Sequence, residues 1–172
     1  MEKTLFILSS QAGSSEFSFT KADIYTLYKK KGLEKNIEIV VTTHQNHAIE
    51  ATKNFIRKDD EKKSIIVCGG DGSLNEVAGA IYPSDTALGL IPMGTGNDFS
   101  KNLNYKNFTL EKTLKRTISP IDLIEVNGKI CVNVTSLGFD TEVLSNAYYF
   151  LEKKPSLGKK AYIKSVIYSL KN

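Results

Sequence analysis

Residues 64–68 read SIIVC, an unbroken apolar run, and the chain then turns abruptly into Gly69-Gly70-Asp71-Gly72-Ser73. A strand that is apolar on both faces must be covered on both faces, the condition of an interior strand in a parallel sheet. The surrounding segments obey the same constraint. Thr4–Leu8 (TLFIL), Ile37–Thr42 (IEIVVT) and Ala87–Pro92 (ALGLIP) read as further strands. Phe19–Lys31, Ala48–Arg57 and Ser73–Ile81 carry apolar residues at helical spacing, and Gly32 closes the first of them. Strands alternating with helices predict an α/β fold, a Rossmann-like parallel sheet flanked by helices and built from βαβ units.

The pattern changes near Ser119. Pro120–Val126 and Lys129–Ser136 flank Asn127-Gly128, the dipeptide that best accommodates a tight hairpin because both positions need φ > 0. The expected organisation is an α/β domain over 1–118 and the start of a second, antiparallel β-rich domain over 119–172. Within the tail one helix is predicted, with Tyr162, Ile163, Val166, Ile167 and Leu170 as a core-facing stripe.

Charge follows this division. The net charge of +4 is concentrated in residues 144–172, which hold six Lys and one Glu. A near-neutral body excludes the broad basic face of a nucleic-acid-binding domain. Hydrophobic residues make up 41% and charged residues 24%, which argues against disorder. Cys68 and Cys131 both lie in apolar runs and are expected as reduced thiols. No run approaches the roughly 20 apolar residues needed to cross a bilayer, so a cytoplasmic location is expected.

Chemistry concentrates in two glycine loops at strand ends. Gly69, Gly70 and Gly72 allow close backbone approach, and the helix that follows offers N–H donors to an anion. Ser73 adds a hydroxyl, and Asn75 and Glu76 lie in the first turn. The second loop, Gly94-Thr95-Gly96-Asn97-Asp98, is also expected to lead into a helix. Two such loops on neighbouring strands would line one crevice. Asp71 is informative because a glycine turn needs no carboxylate for its own sake. Beside a phosphate it acts either as a proton acceptor or through Mg²⁺, and both point to phosphoryl transfer. A P-loop lysine motif is missing from the sequence.

Gly69 to Glu76 (GGDGSLNE) followed by Leu88 to Phe99 (LGLIPMGTGNDF) resembles the catalytic domain of diacylglycerol kinases, a family that includes sphingosine, ceramide and bacterial lipid kinases. Asn133–Val143 (NVTSLGFDTEV) is similar to the place where that family's second domain, a β-sandwich, begins. The resemblance implies ATP and Mg²⁺ as cofactors and a lipid hydroxyl as acceptor. It implies nucleotide contacts at Thr95, at Thr42 and around the phosphates at Gly69 to Asn75. Ser10 and Gly13 stand in the first loop, where the family's Asn-Pro is replaced by Ser9-Ser10 and its glycine is kept. Asn97 is a further nucleotide contact, with Gly94, Gly96, Glu76 and Asp98 as additional candidates. The family's lipid contacts and Mg²⁺ site belong to its second domain, so this chain is expected to be inactive by itself. Peripheral membrane contact through the basic tail and self-association into a homo-oligomer stay open, as do an NAD-kinase-like activity and a non-catalytic nucleotide-binding role.

Several residues have competing readings. His44 and His47 have a spacing that would suit a metal, or are simply exposed near a helix start. Asp140 is a polar ligand or a turn residue. Asp98 is an N-cap or a catalytic carboxylate.

Overall fold

Strand β1 (Lys3–Leu8) pairs in parallel with β2 (Ile37–Val41) on one side and with β3 (Lys63–Gly69) on the other. Strand β4 (Ala87–Pro92) extends the sheet beyond β3, giving the order β2-β1-β3-β4. This computed structural model describes residues 2–10, 17–58, 62–94, 96–158 and 160–171.

Crossover handedness decides where the helices lie. The chain passes from β1 to β2 in one direction, then jumps back over β1 to reach β3 and β4. Right-handed crossovers in opposite directions place their helices on opposite faces. Accordingly α1 (Lys21–Lys30) covers one face, where Ile24 and Tyr28 pack on Phe6, Leu8, Ile66, Cys68 and Ile91. The other face is covered by α2 (His47–Ile56) and α3 (Asp71–Ile81). There Ala48, Phe55, Leu74, Val77 and Ile81 meet Leu5, Ile7, Ile65, Val67 and Leu90. Alternate residues of β1 and β3 feed the two cores, which is why SIIVC has no polar face.

Helix α1 begins later than its apolar spacing indicates because Thr20 and Asp23 form a capping box that fixes the first turn at Lys21. Between β4 and Asn127-Gly128 the described residues form short 3-10 turns at Phe99–Asn102 and Leu110–Leu114. Where a helix was expected after the second glycine loop, the described residues form a 3-10 turn. The Ser100 hydroxyl donates to Asn97 O at 2.6 Å, a local bond that competes with helical pairing. The segment then returns to the amino edge of the sheet, where Arg116 donates to Ser64 Oγ and Thr4 Oγ1 and pairs with Glu2.

The Asn127-Gly128 hairpin is present, with both residues at positive φ. Its strands are short, β5 (Ile124–Val126) and β6 (Lys129–Cys131). It docks against α3, the Val132 N–H donating to Asn75 Oδ1 at 3.1 Å. The chain divides into two compact units, Met1–Asn133 and Val134–Asn172, so the hairpin belongs with the parallel sheet.

The second unit contains two helices among the described residues, α4 (Phe139–Lys153) and α5 (Lys160–Ser169), where one was expected. Helix α4 has no side-chain cap, and Ala147 is its one residue classed as buried; such a segment carries little apolar periodicity to read. The stripe assigned to a core on α5 faces outward instead. Ile163 and Leu170 are 65% and 71% exposed, while Ala161, Ser165 and Ser169 are buried. Polar bonds hold this small-residue seam: Ser165 Oγ donates to Val143 O at 2.6 Å, and Asn146 Nδ2 donates to Ser169 Oγ at 2.9 Å.

Candidate functional site

The carboxyl ends of the four strands bring the sequence-derived loops to one edge. The ladder runs one residue past the strands: Thr42 N–H donates to Leu8 O, Ser9 N–H to Cys68 O and Met93 N–H to Gly69 O, at 2.9–3.0 Å. Beyond it, Ser10 N–H donates to Thr42 Oγ1 at 3.1 Å, so the first loop is tied to the end of β2. Since β2 and β3 leave β1 on opposite sides, the gap between the ends of β1 and β3 is a topological switch point. Open α/β sheets bind their ligands at such a point.

The two glycine loops are in direct contact. A Cβ on Gly94 would stand 2.5 Å from Gly70 Cα, and one on Gly70 would stand 3.2 Å from Gly94 Cα. These glycines serve backbone-to-backbone packing. Gly69 is confined by Ser73 and Ser9, each within 3.3 Å of its Cβ position. Gly72 differs, because no protein atom lies within 4 Å of its Cβ position, and its backbone is open to an incoming group. Gly70 is the N-cap of α3 and brings no side chain, so the N–H groups of the first turn are uncapped and carry the positive end of the helix dipole.

Two polar side chains brace the loops. Asn97, at φ 52°, turns its amide onto Gly94, accepting from the Gly94 N–H at 2.9 Å and donating to Gly94 O at 2.7 Å. Asp71 reaches across from α3: Oδ2 accepts from the Asp98 N–H at 2.9 Å and Oδ1 from the Phe99 N–H at 3.0 Å. The carboxylate between glycines thus has a structural use that the sequence did not disclose. Each oxygen keeps a second lone pair for another partner.

Of the other sequence candidates, Ser73, Gly96 and Asp98 lie in this assembly, and Ser10 and Thr42 lie across the switch point from it. Asn75 is turned to the hairpin, and Glu76 is exposed. Gly13 and Thr95 fall outside the described residues. Asp98 forms no cap bond and pairs with Lys101, a residue the motifs did not single out. The hydrogen bond and charge of Asp98, with a further contribution from Asp71, hold the Lys101 pKa above its ordinary value. A usable signal existed: residues 64–100 contain no Lys or Arg, and Lys101 ends that stretch.

Below the loops, Cys68 is fully buried and its thiol is pushed up to about 12 by desolvation, which makes it a core residue and not a nucleophile. His44 and His47 stack at 4.5 Å, with His44 Nε2 3.2 Å from Glu50 Oε2. Among the described residues no group of three or more His, Cys, Asp or Glu stands together to hold a metal.

A parallel sheet with an uncapped helix start and paired glycine loops at its switch point defines a doubly wound α/β domain. The family model "Diacylglycerol kinase catalytic domain" matches residues 3–126. The chain belongs to this lipid-kinase family. It is 30% identical over 168 residues to a diacylglycerol kinase of Bacillus subtilis strain 168, covering 94% of this chain and 54% of the relative. It is 36% identical over 104 residues to the Pseudomonas aeruginosa protein called "Probable lipid kinase YegS-like", covering 58% of this chain and 34% of the relative. A solved diacylglycerol kinase structure from Bacillus anthracis strain Sterne superposes with a TM-score of 0.55 at 29% identity, over 74% of this chain and 47% of that one. The chain spans about half the length of the Bacillus relatives it matches, 54% and 47%.

Proposed function

We propose that this chain supplies the nucleotide-binding half of a lipid kinase that moves the γ-phosphoryl of ATP to a lipid hydroxyl. The observation that carries this reading is the pair of mutually braced glycine loops beside the uncapped start of α3, in a chain of the diacylglycerol kinase family. The N–H groups at Asp71, Gly72 and Ser73 would receive phosphate oxygens, and the open side of Gly72 would let them approach. The Ser73 hydroxyl adds a donor. Thr42 and Ser10, fixed to one another, would line the opposite side of the switch point.

Asp71 and Asp98 are the two carboxylates of the paired loops, and no third His, Cys, Asp or Glu joins them among the described residues. Glycine at position 96 leaves open a point 3.4 Å from Asp71 Oδ2 and 3.8 Å from Asp98 Oδ2. Mg²⁺ arriving with the nucleotide would offset phosphate charge and orient the transferring group. Asp71 then has two uses, bracing the second loop and presenting its remaining lone pairs to the cation or to the acceptor proton. Asn97 holds Gly94 with one N–H and its Oδ1, and its second N–H is left to meet the ligand.

Peripheral contact with an anionic membrane is part of the proposal for the second unit, where Lys153, Lys154, Lys160 and Lys164 lie among exposed Tyr148, Ile163 and Ile167. No helix among the described residues is long and apolar enough to cross a membrane.

Calorimetry with ATP and ADP in the presence of Mg²⁺ tests the nucleotide reading. The Gly72→Val chain should keep the wild-type melting temperature and lose nucleotide binding. Wild-type protein that binds no nucleotide at millimolar concentration would refute the proposal. In the chain completed by a second domain, phosphate transfer from labelled ATP, with diacylglycerol micelles and NAD offered together, then separates a lipid acceptor from a soluble one.

A further inference from the structure

The site has an electrostatic deficit. Residues 64–100 supply both glycine loops and carry Asp71, Glu76, Asp85 and Asp98 with no Lys or Arg. A polyphosphate entering beside α3 therefore meets backbone dipoles together with carboxylates. Helix dipoles and N–H groups favour an anion, but two carboxylates within the loops oppose it. Lys101 breaks this run. It follows Asp98 by three residues, pairs with the Asp98 carboxylate, and is 70% exposed at its side chain. The backbone of Asp98 is itself anchored to Asp71, so the ammonium is tethered within one short turn of the loop that faces α3.

From this arrangement we infer that Lys101 is the phosphate-binding cation of the site, parked on Asp98 in the free chain and transferred to the phosphate oxygens when a polyphosphate enters. The inference rests on the nucleotide reading above. Exchange is inexpensive because an exposed i,i+3 pair contributes little net stability. The incoming phosphate offers a multiply charged acceptor set in place of one carboxylate. Departure of Lys101 also frees the Asp98 carboxylate. Asp71 is committed to bracing the second loop through the Asp98 and Phe99 N–H groups, and Asp98 is the carboxylate that Lys101 pairs with. In this role Lys101 replaces the lysine of a P-loop from a different position in the chain, downstream of the second loop.

The test uses inorganic tripolyphosphate in metal-free buffer, with adenosine as an uncharged control, read by calorimetry on the intact chain. Lys101→Met should weaken tripolyphosphate about tenfold, the loss of one charge-assisted contact. Lys101→Arg should restore most of the affinity, and adenosine should be indifferent to both changes. Asp98→Asn removes the resting partner and should strengthen metal-free tripolyphosphate binding several-fold. That gain should vanish in the Asp98→Asn/Lys101→Met double variant. A merely structural ion pair would make the two single variants change in the same direction. Unchanged affinity in Lys101→Met, with wild-type protein binding normally, would overturn the role of Lys101 alone. Failure of the wild-type chain to bind either tripolyphosphate or ATP would overturn the nucleotide reading and this inference together.

Discussion

Gly70 and Gly94 stand back to back, so close that a Cβ on Gly94 would lie 2.5 Å from the Gly70 Cα. The two loops that line the crevice are thereby one packed unit rather than two independent flaps. Much of the glycine content of the motif is explained by this contact before any ligand is considered.

Gly94→Ala should consequently destabilise the first unit, because the added methyl meets backbone on one side and Asn97 Oδ1 at 2.9 Å on the other. Overpacking of this kind costs about 1–3 kcal/mol. Gly72→Ala, with open space around it, should leave stability within about 0.5 kcal/mol. Thermal denaturation of the two variants makes the comparison directly.

Asp71→Asn is not a silent probe of catalysis. The amide keeps one acceptor but sets its NH₂ group against a backbone N–H, so one of the two ties to Asp98 and Phe99 is lost. The expected cost is about 1–3 kcal/mol, with faster hydrogen exchange at the Asp98 and Phe99 amides. Loss of activity in this variant would therefore combine a loosened loop with any missing chemistry, and exchange rates separate the two.

Asn97→Ala should remove both side-chain bonds to Gly94 and leave an alanine in left-handed backbone, at about 2–3 kcal/mol in total. Asn97→Gly, which relieves the backbone cost, should recover roughly 1 kcal/mol of that loss. Denaturant midpoints of the pair test the split.

Cys68 predicts a pH dependence. Its thiol is raised from the ordinary 9.0 to about 12 by burial. The folded state keeps its proton where the unfolded state loses it. The stabilising contribution is therefore complete below pH 9 and declines as pH rises from 9 towards 12. The Cys68→Ala chain should lose stability less steeply between pH 8.5 and about 10, as read by denaturant titration. In native protein at pH 8 thiol reagents should spare Cys68.

In the second unit the conventional hierarchy of helix positions is inverted. Ile167→Gln, at a site 52% exposed, should change stability by less than about 0.5 kcal/mol. Ser165→Leu should be far more damaging, because it overfills the seam and abolishes the bond to Val143 O. Helical content followed on heating reports both.

Local pattern was sufficient for the strands and most of the helices of the first unit. SIIVC had to be interior because both its faces are apolar, and Asn127-Gly128 had to be a tight turn because few other pairs tolerate two positive φ values. The glycine loops were legible for the same reason, since glycine marks places where a backbone must come close to something. What comes close was not legible. At Gly70 and Gly94 it is the other loop, whereas no protein atom lies within 4 Å of the Gly72 Cβ position.

The α5 stripe shows the limit most plainly. Helical spacing identified which residues share a face, but burial is set by the neighbour, and α4 meets the face carrying Ala161, Ser165 and Ser169. The Asp71 brace and the Lys101 pairing have the same origin, for each joins groups whose proximity comes from loop geometry and not from a repeating period. Sequence by itself determined the alternating elements and the position of the glycine loops, because these depend on side-chain period and backbone freedom within a few residues. Tertiary structure alone decided which loop touches which, which face is covered and which charges meet, because those depend on contacts between segments far apart in the chain.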